Sequence, residues 1–317
     1  MNKDLKAFQI EVNGRILDYR LGRDLDLNDV RNFFEKNYNV TRIWKGARHV
    51  LGLLEKYNHK LILKLSTTEG MSAITQNEYE WNKQCNELLP RKISDYWIPK
   101  NIDSGFYKNK LFYLITERFE GQFIVSERIE TKISPTFIEQ IPNIIEFSEI
   151  IQKLPITNIS EREDADYRNW FIIKTKTWLS SIPEKIKEMY NLHDLYNLVK
   201  KQAKYLQKKP RHGDFAPWHL IKLTNNKLGL IDGEHAVSNG VEYYDIGYFI
   251  QRVYSVMKNP ELPEDIIYQL KAKNYEINNL RAILCARAIG GFLDQSLLSS
   301  PDYDIDNKFR EWALKVE

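Results

Sequence analysis

The feature that most limits what this chain can become is a change of hydrophobic period partway along it. Up to about residue 120, apolar residues come in short runs bounded by turn signals. From about residue 135 they recur at three- and four-residue intervals. Segments 8–12 and 15–19 flank Asn13-Gly14, a strong two-residue hairpin signal. A short helix is expected over 27–36. Residues 41–56 read as strand interrupted by Lys45-Gly46-Ala47-Arg48, and 61–65 as a compact apolar strand with Lys64 inside it. A helix is expected over 73–88 and a buried strand over 111–116. Helical spacing then covers 136–154, 167–179 and 192–206, resumes near Tyr243, and is expected again over 278–298. One hairpin, Leu220–Leu223 with 228–232 about Asn225-Asn226, interrupts the helices. The expected fold class is α+β, with a strand-rich lobe over 1–120 and a mainly helical lobe over 121–317. There is no internal repeat and no low-complexity linker.

At 317 residues the chain is long enough for two cores. A formal charge of +3, with no dense Lys/Arg tract interleaved with aromatics, points away from nucleic acid. Cys85 and Cys285 lie far apart with no metal-ligand spacing, which fits a reduced compartment. The first residues carry Lys3, Asp4 and Lys6 rather than a secretory apolar run. No stretch approaches the roughly 18 to 20 apolar residues a membrane helix needs. The expectation is a cytoplasmic protein, monomeric or weakly dimeric, without membrane or nucleic-acid partners.

Chemistry concentrates between residues 210 and 235. Pro-Arg-His-Gly-Asp-Phe-Ala-Pro-Trp-His covers 210–219, and Leu-Gly-Leu-Ile-Asp-Gly-Glu-His covers 228–235. Asp214 follows a glycine that permits a sharp turn, so its carboxylate can take a proton. Asp232 closes an apolar strand, where it can hold a hard cation such as magnesium. That pairing suits phosphoryl transfer from a nucleotide, which needs positioning and charge neutralisation more than covalent help. Either aspartate alone also reads as a turn or cap residue.

The order of these motifs resembles the aminoglycoside phosphotransferase and choline-kinase-like family of small-molecule kinases, which has the protein-kinase-like fold. The family's loop reads His-Gly-Asp, four residues, then Asn; here His212-Gly213-Asp214 and Phe215-Ala216-Pro217-Trp218 fit, and His219 stands where Asn is expected. Leu230-Ile231-Asp232 fits the family's metal-binding strand. The resemblance implies a bilobal α+β fold with Asp214 as catalytic base, and Asp232 with His219 as metal ligands. Imidazole in place of an amide oxygen brings manganese in beside magnesium. Lys64 would orient the nucleotide phosphates. Glu78 would hold Lys64, with Glu80 as the alternative that helical phase leaves open. Gly46 would lie in the turn over the phosphates, with Arg48 beside them or in solvent. Glu117 and Phe119 would belong to the hinge that binds the base, and Asp245 would brace the catalytic loop.

For the acceptor side, Glu234 is the nearest candidate contact. Glu161, Glu163, Asp164 and Asp166 precede Tyr167, Trp170 and Phe171, a mixture that suits a cationic amine or simply a charged helix start. The function implied is transfer of the terminal phosphoryl group of ATP or GTP to a hydroxyl of an amino sugar, aminoglycoside or amino alcohol. The alternative is a nucleotide-binding module with weak catalysis, for which His219 is the sequence signal.

Overall fold

The computed structural model describes residues 6–12, 14–92, 94–126, 133–159 and 166–317. They divide into two compact units, Met1–Gln122 with Lys222–Ala236, and Phe123–Ile221 with Val237–Glu317.

The first unit is built on a five-stranded antiparallel sheet. Its spatial order is Asn39–Lys45, His49–Lys56, His59–Ser66, Leu111–Glu117, Asn101–Tyr107. The third strand shows why it is a strand. Leu61, Leu63 and Leu65 are at most 2% exposed on one face, while Ile62 and Lys64 point to the other, the period of two that a pleat imposes. The leucine face meets Val30 and Phe34 of the Leu27–Phe34 helix, together with Val40, Val50 and Ile115. Each fully buried leucine contributes about 1.5–3 kcal/mol. Asp26 caps that helix by accepting the Asn28 and Asp29 amides. Tyr57 and Asn58, both at positive φ, turn the second strand into the third.

The twenty-residue helix Glu69–Leu88, capped by Thr68, packs on the Leu111–Glu117 strand. The expected N-terminal hairpin forms as Gln9–Val12 against Arg15–Asp18, with Gly14 at φ +73° and Asn13 outside the described residues. Later residues complete the unit. Leu228–Leu230 pairs in parallel with Tyr96–Trp97, and the turn before it places Asn226 at φ +60°.

The second unit is mainly helical. Pro135–Ile151, Tyr167–Ser181, Leu192–Ala203, Tyr244–Gln251, Leu262–Ala272 and Asp304–Lys315 accompany a central helix, Ile277–Ser296, that is buried along most of its length. The helices Tyr167–Ser181, Leu192–Ala203, Tyr244–Gln251 and Asp304–Lys315 pack on it. A two-stranded ribbon, Lys208–Arg211 with Val237–Val241, carries a bulge at Lys209–Arg211 and leads straight into the loop holding Asp214. The Tyr244–Gln251 helix runs on into a π-helical turn, Arg252–Val256. Among the described residues no helix is long and apolar enough to cross a membrane.

Candidate active site

In the first unit, Lys64 projects from the non-leucine face of its strand toward the Glu69–Leu88 helix. Its Nζ lies 2.6 Å from Glu78 Oε2 and 2.7 Å from Glu234 Oε2, and it also bonds Asp232. Glu78 is the helix glutamate whose carboxylate meets the lysine. Burial works against the ammonium, but Asp232, Glu234 and Glu78 outweigh it and hold Lys64 well above the ordinary lysine range. Burial pushes Glu78 up to about 7 against the pull of Lys64. Burial also opposes ionisation of Glu234, yet Lys64 and Arg48 bring it below the usual carboxylate range.

Glu234 is 2% exposed and accepts a 2.8 Å bond from Arg48. Arg48 is thus ion-paired within the unit rather than solvated. Asn77, one residue before Glu78, ties the acidic segment to the helix by donating to the carbonyls of Glu234 and Ala236 at 3.1 and 2.9 Å. Asp232 has φ +70° and ψ +48°, the left-handed region that aspartate tolerates better than most side chains. A non-glycine residue there costs about 1–3 kcal/mol and occurs preferentially at functional positions. His49 is buried at the start of its strand, 3.0 Å from Thr75 Oγ1. Burial first, and Lys64 second, depress its imidazole to about 3.

The other nucleotide candidates lie in the same unit. The Gly46 amide donates to the His49 carbonyl at 2.8 Å, closing the turn. Lys45 pairs with Asp24, and Gly22 sits so close to that turn that a Cβ there would come 2.7 Å from the Ala47 carbonyl oxygen. The Glu117 and Arg118 amides donate to Lys100 and Lys60 within the sheet, and the Glu117 carboxylate is held by Arg91. The Phe119 ring covers Gly229, where a Cβ would approach it to 2.7 Å.

In the second unit, Gly213 has φ +84°, so the turn before Asp214 depends on glycine. Asp245, on the first turn of its helix, accepts the His212 amide at 2.7 Å and the Gly213 amide at 2.9 Å. Burial raises Asp245 to about 6 despite those two bonds. His212 is fully buried, with its ring edge-on to Phe215. His219 Nδ1 lies 2.9 Å from the Asp214 carbonyl oxygen; a carbonyl only accepts, so Nδ1 is the donor of this bond. The Tyr248 hydroxyl accepts a 2.8 Å bond from Arg252 Nη2.

Of the acidic cluster, Glu161, Glu163 and Asp164 lie outside the described residues. Asp166 caps its helix by accepting the Arg168 amide, and the Tyr167 hydroxyl bonds the Leu206 carbonyl. Sequence reasoning missed Asn77, His49, Tyr248 and Arg252. The last two had a readable signal, a four-residue spacing directly after Tyr-Asp-Ile-Gly.

No known family model and no curated protein matches the sequence. Solved structures do match. The aminoglycoside phosphotransferase APH(4)-Ia aligns over 91% of this chain and 96% of its own, at 14% identity and a TM-score of 0.63. Choline kinase LicA from Streptococcus pneumoniae aligns over 91% and 97%, at 15% identity and 0.55. A microcompartment-associated aminopropanol kinase aligns over 91% and 94%, at 13% identity and 0.59. Related structures hold ADP or AMP-PNP with hygromycin B, and an aminoglycoside 2'-phosphotransferase holds GDP. At these identities the likeness shows the fold. The chain has the α+β, protein-kinase-like fold, with a strand-rich N-terminal region and a helical C-terminal region.

Proposed function

We propose that this protein transfers the terminal phosphoryl group of ATP or GTP to a hydroxyl of a small molecule such as an amino sugar, aminoglycoside or amino alcohol. The observation that carries the reading is Lys64, a buried ammonium fixed by Glu78 on one side and Asp232 on the other. A buried lysine needs counter-charge. One held this way can exchange a carboxylate for a phosphate oxygen without leaving its place. The fold neighbours that bind ADP, AMP-PNP or GDP support the same reading.

In this reading Lys64 orients the phosphates, and the segment around Glu117 and Phe119 takes the base. Because the Glu117 and Arg118 amides already donate within the sheet, base contacts there fall to carbonyl groups and the Phe119 backbone. Gly46 closes the turn expected over the phosphates. The donor set fits a divalent cation: oxygens of Glu78, Asp232 and Glu234 lie within 4.8 Å of one another, and carboxylates are the ligands magnesium prefers. Asp232 would hold it, and when bound the ion neutralises phosphate charge.

Asp214 receives the proton of the acceptor hydroxyl. The acceptor oxygen forms its bond to the terminal phosphorus, the bond from that phosphorus to the bridging oxygen breaks, and the nucleoside diphosphate leaves. Asp245 supports the step by fixing the two amides ahead of Asp214. Replacing Asp214→Ala should abolish phosphoryl transfer while AMP-PNP affinity changes less than about twofold, against the roughly 10²- to 10⁴-fold a general base contributes. Parallel assays of transfer from ATP and GTP to hygromycin B, choline and aminopropanol, with titration of AMP-PNP, decide it. Equal losses of binding and turnover would remove the assigned role.

A further inference from the structure

Glu234 joins two cations of the first unit, one to each carboxylate oxygen. Arg48 Nη2 donates to Oε1 at 2.8 Å, and Lys64 Nζ donates to Oε2 at 2.7 Å. His235 Nε2 lies 3.5 Å from Oε1, and His49 Nε2 lies 4.0 Å from Oε2. The Glu234 side chain is 1% exposed, and Asn77 holds its backbone by donating to the Glu234 carbonyl at 3.1 Å. A buried carboxylate is costly unless it is paired, so these bonds fix where its two oxygens lie.

Arg48 is tied at its backbone as well. Thr67 Oγ1 donates to the Arg48 carbonyl at 2.7 Å, and the Gly46 amide closes the turn on the His49 carbonyl at 2.8 Å. Gly22 packs on the same turn, where a Cβ would come within 3.3 Å of Arg48 Cα. A long, flexible side chain is therefore held at both ends. Its guanidinium is not used up. Among the described residues Arg48 bonds Glu234 through Nη2, the side chain stays 29% exposed, and Nε and Nη1 carry further N–H donors. An arginine on an ordinary surface ion pair swings freely. One oriented by a buried carboxylate presents a fixed fork, the shape that grips phosphate oxygens two at a time. The other oxygen of that carboxylate holds Lys64, the ammonium assigned above to the phosphates.

We infer that Arg48 is a second phosphate-binding residue, and that Glu234 is a positioning residue which holds Arg48 in register with Lys64 rather than a contact to the acceptor. Arg48 keeps its Nη2 bond to Glu234 and gives Nε and Nη1 to oxygens of a nucleoside di- or triphosphate. Lys64 meets a neighbouring phosphate group of the same chain. The inference rests on the phosphotransferase reading above and adds to it a second cation for the polyphosphate.

The test is how affinity depends on the number of phosphates. Adenosine, AMP, ADP and AMP-PNP, with the guanosine series alongside and magnesium present throughout, are titrated by calorimetry into the wild type and into Arg48→Met, Arg48→Lys and Glu234→Gln. Arg48→Met should weaken ADP and AMP-PNP by about 10- to 100-fold, the loss expected for a hydrogen-bonded charge, and leave adenosine within about twofold. Arg48→Lys keeps the charge without the fork and should recover part of the loss. Glu234→Gln should weaken AMP-PNP in the same direction. The double variant should lose less than the two single losses multiplied, because the carboxylate acts partly through the arginine. If Arg48→Met fails to fold, Arg48→Lys and Arg48→Gln carry the same comparison. Unchanged AMP-PNP affinity in folded Arg48→Met, an equal loss for adenosine, or fully multiplicative losses in the double variant overturns the inference. If the wild type binds AMP-PNP and Arg48→Met binds it equally well, only the inference falls. A wild type that binds neither nucleotide series removes the functional reading with it.

Discussion

Lys64 is the residue with the most unusual surroundings. Three carboxylates, Glu78, Asp232 and Glu234, share it, and Arg48 supplies the second positive charge. His49 adds none, because burial keeps its imidazole neutral down to about pH 3. The sign of the resulting pH dependence follows. The unfolded chain binds a proton at His49 near pH 6.5, whereas the folded chain refuses it until about 3. The stabilisation is therefore complete above 6.5 and is lost as pH falls toward 3, by up to about 1.4 kcal/mol per pH unit. His49→Gln should flatten the Tm profile between pH 6.5 and 4 relative to the wild type. Parallel profiles would show that His49 takes no part in acid lability. At this scale the sequence showed Lys64 because a lysine between leucines is improbable without partners. It could not show that Glu234 points inward at the same lysine. That depends on the left-handed turn at Asp232, which the turn-prone Asp232-Gly233 pair permits but does not specify.

Among the elements, the Ile277–Ser296 helix carries an apparent defect, Gly290-Gly291, in its buried stretch. Each glycine costs about 1 kcal/mol relative to alanine in a helix interior. The two have different neighbours. A Cβ at 290 would meet the flexible end of Arg287 at 3.2 Å, whereas a Cβ at 291 would run into the Asp306 carboxylate. Asp306 is 2% exposed and fixed on the Asp304–Lys315 helix, and burial raises it to about 6. Gly290→Ala should be neutral or mildly stabilising. Gly291→Ala should lose about 1–3 kcal/mol through overpacking. Urea denaturation of the two variants checks the order, and equal effects would contradict it. The longer helices and the strands around Lys64 were legible because their periodicities are strong. The Asn101–Tyr107 strand was not: Asp103, Ser104 and Gly105 break its alternation, and pairing with Leu111–Glu117 makes it a strand. The Lys208–Arg211 and Val237–Val241 ribbon was missed for the same reason, being short and rich in polar residues.

On the scale of the whole molecule, the shift from strands to helices indicated the fold class that the solved neighbours share. Nucleotide binding is also best read here, as a change in the stability of the entire protein. AMP-PNP with magnesium should raise Tm, by an amount equivalent to about 2.7 kcal/mol at a hundred times Kd. Lys64→Met should remove most of that rise, and a thermal-shift titration measures both. An undiminished rise in Lys64→Met would place the phosphates elsewhere.

The first compact unit also has an unusual inventory, since residues Lys222–Ala236 belong to it although the chain leaves it at Gln122. During synthesis, the ribosome must therefore deliver residue 234 before Lys64 has all its counter-ions. Until then Glu78 is the only one of the three carboxylates already made. A nascent fragment ending near residue 122 would hold an under-compensated cation and an uncovered tryptophan, Trp81, where Gly233 later settles. The strand-rich half, though begun first, is therefore completed only after much of the other unit has been made, and a fragment cut after residue 122 should behave as an incomplete fold.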